Sequence, residues 1–152
     1  MAYVDADRLR RISTGDDVDL LLPTVLAGLR DVVELKRPDA DVLRWDENHR
    51  DFYWSLDAAK AIGQAARYIE VLHDEARRGL RDHREVVAYY PRALIVIGRS
   101  TGWGNDEYRG LRILNDRLDG ITVMTFDQLL AQGERLLEIV AEGQPMAGAG
   151  ET

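Results

Sequence analysis

Asp19, Glu34 and Lys36 have the types and spacing of a site that handles a hard cation and an anion together. Side chains alternate along a strand. In Glu34-Leu35-Lys36 the two charged residues therefore share one face, and Leu35 takes the other. Their neighbours Val32, Val33 and Leu35 are apolar, and a charge in apolar surroundings is costly unless it is paired or binds a metal. Positions 20–33 separate Asp19 from Glu34, room for one hairpin that sets the two carboxylates side by side. Two carboxylates beside a lysine suit a divalent cation with oxygen ligands. Such a cation polarises a phosphodiester and activates a water, while the lysine stabilises developing charge or helps to deprotonate that water. By itself the Glu-x-Lys triplet equally describes an exposed ion pair on an edge strand. The aspartate upstream is what adds weight to the chemical reading.

A second element joins the set. Gln64 and Tyr68 stand at i and i+4, so one helical row presents an amide and a phenol toward one place. Their position directly after the Glu-x-Lys strand leads to the expectation that Gln64 points at Lys36 or the metal site. Without that position, Gln64 would be a solvent-facing residue beside a packing tyrosine.

The elements that must carry these residues can be read along the chain. Its 152 residues suit one domain. Residues 1–15 form a polar lead-in, 16–141 the domain, and 142–152 a small-residue tail expected to be disordered. Strands are expected at Val18–Leu22, stopped by Pro23, and at Leu29–Lys36, stopped by Pro38. Residues 39–50 look irregular. A long helix is expected from Phe52 to about Leu80, with Phe52, Leu56, Ala59, Ile62, Ala66 and Ile69 as one apolar row. A second row runs through Ala61, Gln64, Ala65, Tyr68 and Val71, so the helix should be covered on two sides. Ala93–Ile97 is the strongest strand, continuously apolar like a central strand buried on both faces. A Gly-rich loop, a helix over 106–118, a strand over 121–125 and a last helix to about Val140 complete the order β-β-α-β-α-β-α. The fold class is α/β, a small mixed sheet flanked by helices.

Composition narrows the partners. The net charge is −7, which argues mildly against non-specific phosphate binding, although local patches decide such matters. Arg77, Arg81 and Arg84 recur at helical spacing as a candidate DNA-backbone stripe, and equally as a solvated helix end. Cysteine is absent, which removes thiolate sites and disulfides and fits a reducing cytosol. There is no signal-peptide pattern and no membrane-length apolar run, so a cytoplasmic protein without membrane contact is expected. His49, His73 and His83 lack metal-ligand spacing. Gly98, Gly102 and Gly104 match no phosphate-loop pattern.

Taken in order, Asp19, Glu34-Leu35-Lys36 and Gln64-x3-Tyr68 resemble the PD-(D/E)xK nuclease signature, with Val18-Asp19 in place of Pro-Asp. The finer resemblance is to the nuclease domain of the Shedu antiphage defence family. It is carried by 32–38 (Val-Val-Glu-Leu-Lys-Arg-Pro), 94–99 (Leu-Ile-Val-Ile-Gly-Arg), 111–118 and 121–130. The resemblance implies a restriction-endonuclease-like core and a metal-dependent DNA endonuclease of antiphage defence. Carried over by position, Asp19 and Glu34 would ligate Mg²⁺ or Mn²⁺, Lys36 would be the catalytic lysine, and Gln64 would assist. Asp17 shares strand parity with Asp19 and competes for the ligand role. DNA is the expected partner, with room for a second copy or a partner subunit. The rival expectation is an inert nucleic-acid-binding or assembly module that keeps the nuclease fold. A third is an interaction domain whose charged strand residues are surface ion pairs.

Overall fold

The computed structural model describes residues 11–13, 16–17, 20–23, 30–76 and 90–142. Its centre is a four-stranded sheet in the order β3-β4-β7-β8, built from Leu20–Pro23, Arg30–Leu35, Ala93–Val96 and Ile121–Met124. β4, β7 and β8 run parallel, and β3 pairs antiparallel with β4, Leu20 opposite Val33. β3 is an edge strand, so Pro23 can end it without breaking a ladder on the far side. Ahead of it, β1 (Arg11–Ser13) and β2 (Asp16–Asp17) pair as a small separate ribbon, within and just after the expected lead-in.

Three helices flank the sheet: α1 (Leu56–Ala76), α2 (Asn105–Asp116) and α3 (Phe126–Glu142). The mixed α/β class read from the sequence is therefore the observed one. None of these helices is long and apolar enough to cross a membrane. Of the expected tail, only Glu142 is among the described residues, as the last residue of α3.

The segment before α1 differs from its reading. Residues 39–50 are not irregular, and Phe52 does not open a helix. Leu43–Asp46 and Asp51–Trp54 form a hairpin, β5–β6, with Trp45 opposite Phe52 and Arg44 opposite Tyr53. Aromatic cross-strand pairs favour a pleated ribbon, and that preference overrides the coincidental helical spacing of Phe52 and Leu56. The helix starts only after Ser55, whose hydroxyl accepts the Ala58 N–H at 3.1 Å as an N-cap.

The buried row of α1 is also not the first one read. Ala58, Ala61, Ala65, Tyr68 and Leu72 are buried, whereas Leu56 is 70% exposed and Ala59 and Ala66 face outward. Three alanines on the buried face let the helix axis approach the sheet closely. They pack into a core with Val32, Ile95, Ile97, Ile121 and Val123. The parallel registers align Val32 with Ala93 and Ile121, and Glu34 with Ile95 and Val123. Glu34 thus points into the face that α1 covers.

Two glycines fix how the layers meet. Gly98, just past β7, has φ +63°, and a Cβ there would collide with the Ala40 carbonyl and the Val42 side chain. Its N–H donates to the Arg37 carbonyl at 3.1 Å, which pins the loop after β4 to the end of β7. Gly110 of α2 lies against the Phe52 ring, where a Cβ would come within 2.7 Å. α3 begins with a reciprocal cap: the Gln128 N–H donates to Thr125 Oγ1 at 3.2 Å, and the Thr125 N–H donates to Gln128 Oε1 at 2.9 Å.

Candidate active site

Glu34 is the largest polar side chain in the core, only 2% exposed. It is there because β4 alternates strictly: Val32 and Glu34 face α1, and Leu35, on the opposite face, is 42% exposed. Lys36 follows on the same face, its backbone N–H donating to the Val96 carbonyl at 2.8 Å. The Lys36 ammonium donates to Glu34 Oε2 at 3.0 Å and to Gln64 Oε1 at 2.8 Å. Gln64 in turn donates through Nε2 to the Tyr68 hydroxyl at 2.5 Å. The result is an ordered chain, Glu34–Lys36–Gln64–Tyr68, running from the sheet to α1.

Each link has a sequence cause. Gln64 and Tyr68 are one helical turn apart, so they contact each other along α1. Ala61 and Ala65, on either side of Gln64, bring α1 close enough for a short amide to reach Lys36. The buried Tyr68 hydroxyl accepts from the amide nitrogen, which orients the amide oxygen toward Lys36.

The site opens as a pocket of about 210 Å³ at the carboxyl end of β4, where ligands bind in open parallel sheets. Its wall includes Lys36, Arg37, Asp57, Lys60, Gln64 and Ile97. Lys36, Arg37 and Lys60 supply donors for an anion there, while Glu34 and Asp39 offset part of the charge of the first two.

The structure therefore joins Glu34, Lys36 and Gln64 as the spacing suggested. Asp19 lies outside the described residues, as do Arg77, Arg81 and Arg84. Asp17 falls in β2. Arg37, Asp57 and Lys60 were not picked out from the sequence. Lys60 was within reach of the same argument, since Lys60, Gln64 and Tyr68 stand at successive i, i+4 positions. Asp57 and Arg37 carry no such signal: only the packing of α1 against the loop after β4 brings them together.

Among the described residues no group of three histidine, aspartate or glutamate side chains is placed to hold a metal. Mg²⁺ is nevertheless commonly held by one or two carboxylates, with waters and substrate phosphate completing the shell. The donor set to be judged is thus Glu34 with one further carboxylate.

Fold and site define a mixed α/β domain in which a buried glutamate pairs with a partly exposed lysine at the carboxyl end of the parallel strands of a mixed sheet, under a helix that supplies a glutamine. The chain belongs to the Shedu family: the family model described as Shedu protein SduA, C-terminal, matches residues 3–130. No curated protein is a significant match to the chain. Membership of the Shedu family points to antiphage defence.

Proposed function

We propose that this chain is a metal-dependent DNA endonuclease acting in antiphage defence, and that Glu34, Lys36 and Gln64 form its catalytic centre with Asp19. The observation that carries the reading is the Lys36 ammonium, held between the buried Glu34 carboxylate and the Gln64 amide at 3.0 and 2.8 Å, beside a cationic pocket. A surface ion pair on an edge strand would need neither the burial nor the amide.

Glu34 is a hard oxygen donor of the kind Mg²⁺ or Mn²⁺ takes. Asp19, expected from the sequence to be the second carboxylate, is the proposed partner of Glu34. Glu34 and Asp19 would then hold the cation as hard oxygen donors. When bound, the cation supplies Lewis-acid polarisation of a phosphodiester and acidifies a water.

The remaining work falls to residues of the chain. An ammonium has three donors, and Glu34 and Gln64 take two. The third donor of Lys36 is left for a phosphate oxygen, where it stabilises the charge that builds in the transition state. Gln64 is a positioning residue: it fixes the direction of the ammonium, and Tyr68 fixes the amide. Arg37 and Lys60, both lining the pocket, hold the backbone phosphate that enters it.

Cleavage of plasmid and linear DNA with Mg²⁺ or Mn²⁺, against the same reactions in EDTA, tests this function. Metal-dependent cleavage that disappears in Lys36→Ala supports it. DNA binding without cleavage under any metal returns the protein to the rival class, an inert binding module.

A further inference from the structure

Every residue of α3 from Leu129 to Glu142 is exposed, its apolar residues included. Leu130, Leu136, Leu137 and Val140 are 63–71% exposed, and Ile139 and Leu129 are uncovered as well. A contiguous apolar patch of this kind marks an interaction surface, unlike single leucines scattered over a surface. The opposite side of α3, through Gln128, Ala131 and Gln132, faces α2 and β8 across a cleft. The patch therefore points away from the domain, and no described element covers it.

The order of these residues along the helix is regular. Leu129, Gly133, Leu136 and Val140 alternate between the d and a positions of a heptad, and Leu130 and Leu137 fill the e positions beside them. An apolar stripe of a, d and e positions is what a helix presents to another helix. Gly133 sits in the middle of that stripe, and a Cβ there would meet nothing within 4 Å. The packing of the chain on itself therefore does not call for glycine at 133, and glycine weakens a helix interior. A second helix crossing closely at that point does call for it. Most of the stripe lies beyond residue 130, where the family match ends, so it is an addition to the shared domain.

We propose that α3 is a self-association surface, through which two copies of the chain pair antiparallel along Leu129, Gly133, Leu136 and Val140. The stripe is complementary to itself in that orientation. Antiparallel helices pair a with d positions, so Leu129 packs on Val140 of the second copy, and Leu136 fills the gap over Gly133 of the second copy. Leu130 of each copy meets Leu137 of the other on the flank. A parallel pair would set Gly133 against Gly133 and leave a void at its centre, where contacts are lost. It would also align two helix dipoles that the antiparallel pair opposes. A partner of unrelated sequence would impose no such symmetry about the midpoint of the helix. Stable interfaces bury about 800 Å² per partner, and six apolar side chains exposed to this degree supply much of it. The inference stands apart from the catalytic reading and uses none of its residues.

Analytical ultracentrifugation of the full chain, from micromolar to submillimolar concentration, is the test. The 17.2 kDa chain should sediment as a dimer that dissociates on dilution. Leu137→Glu places a carboxylate in the apolar seam and should weaken association by about 100-fold or more, while the circular dichroism of the monomer stays that of the parent. Gly133→Leu overpacks the crossing point and should weaken association by about 5- to 150-fold. On a helix without a partner the same substitution is harmless, because the space around Gly133 is open. Cross-linking reads the orientation. The chain has no cysteine of its own, so Leu129→Cys combined with Val140→Cys should give a covalent dimer on mild oxidation, and neither substitution alone should. A parent that stays monomeric at submillimolar concentration overturns the proposal. So does a dimer indifferent to both Leu137→Glu and Gly133→Leu, whose interface lies elsewhere. A covalent dimer formed by Leu129→Cys alone overturns the antiparallel pairing.

Discussion

Lys36 and Gln64 lie 28 positions apart in the chain, and their side chains meet at 2.8 Å. Neither residue can make this contact from its own element. It exists because β4 ends where it does, because the β5–β6 hairpin takes up the intervening chain, and because small residues on α1 let the helix settle close to the sheet.

Lys36→Ala and Glu34→Gln should both abolish DNA cleavage, for different reasons. The first removes the charge that stabilises the transition state and should leave metal affinity largely intact. The second removes a ligand and should lower that affinity. Their stabilities should also separate. Lys36→Ala takes the ammonium away from a buried carboxylate and should cost about 2–4 kcal/mol at neutral pH. Glu34→Gln leaves a partly exposed ammonium that water can solvate, so it should cost less. Urea denaturation, together with Mn²⁺ titration calorimetry, checks both orders.

Gln64→Ala should lower kcat by about 10- to 100-fold with little change in KM, because the lysine stays but loses its orientation. Gln64→Glu keeps an acceptor for Lys36 and should recover part of the rate. Tyr68→Phe should act in the same direction as Gln64→Ala, more weakly. A Gln64→Ala enzyme with parental kcat would show that the amide has no positioning role.

Ala65→Leu tests the close approach of α1. Overpacking a tight interface costs about 1–3 kcal/mol, and here the relief is to push the helix away from the sheet. Gln64 would move with it. The variant should fold, melt several degrees lower, and lose cleavage more than Leu72→Ala of equal instability does. Equal losses of rate in the two variants would mean that stability alone is being read.

Gly98→Ala should destabilise by about 1–3 kcal/mol from the left-handed backbone alone, before any clash is counted. Its Cβ would also press on Ala40 and Val42, whose loop walls the Lys36 pocket. Chemical denaturation and cleavage should therefore both suffer. A stable variant that has lost cleavage would point to loop displacement.

The turn of the β5–β6 hairpin carries a pH dependence. The Asp46 carboxylate is held below the usual aspartate range, first by the His49 side chain at 2.7 Å and then by the backbone N–H groups of Asn48 and His49. Because its folded pKa is depressed, it contributes stability above the unfolded aspartate value, and that contribution fades as pH falls through the lower folded value. As pH falls below the ordinary aspartate range the Trp45 environment should change in the parent, by fluorescence, and change less in Asp46→Asn. Identical acid transitions in the two would remove Asp46 as the cause.

Sequence alone determined the periods. Alternation in Val32–Lys36 put Glu34 and Lys36 on one face, the apolar run at Ala93–Ile97 marked a central strand, and i, i+4 spacing joined Gln64 to Tyr68. These are local properties, set by backbone geometry within a few residues. Several motifs in the right order also carried the family resemblance. Tertiary structure decided which face each helix buries and what converges across the gap. Two apolar rows on α1 were both legible, but only contact with the sheet selected the alanine row. The hairpin at Leu43–Trp54 was hidden because its cross-strand aromatic pairing is non-local. Arg37 and Asp57 joined the pocket for the same reason: their nearness depends on how a loop and a helix end pack, and no spacing along the chain encodes that.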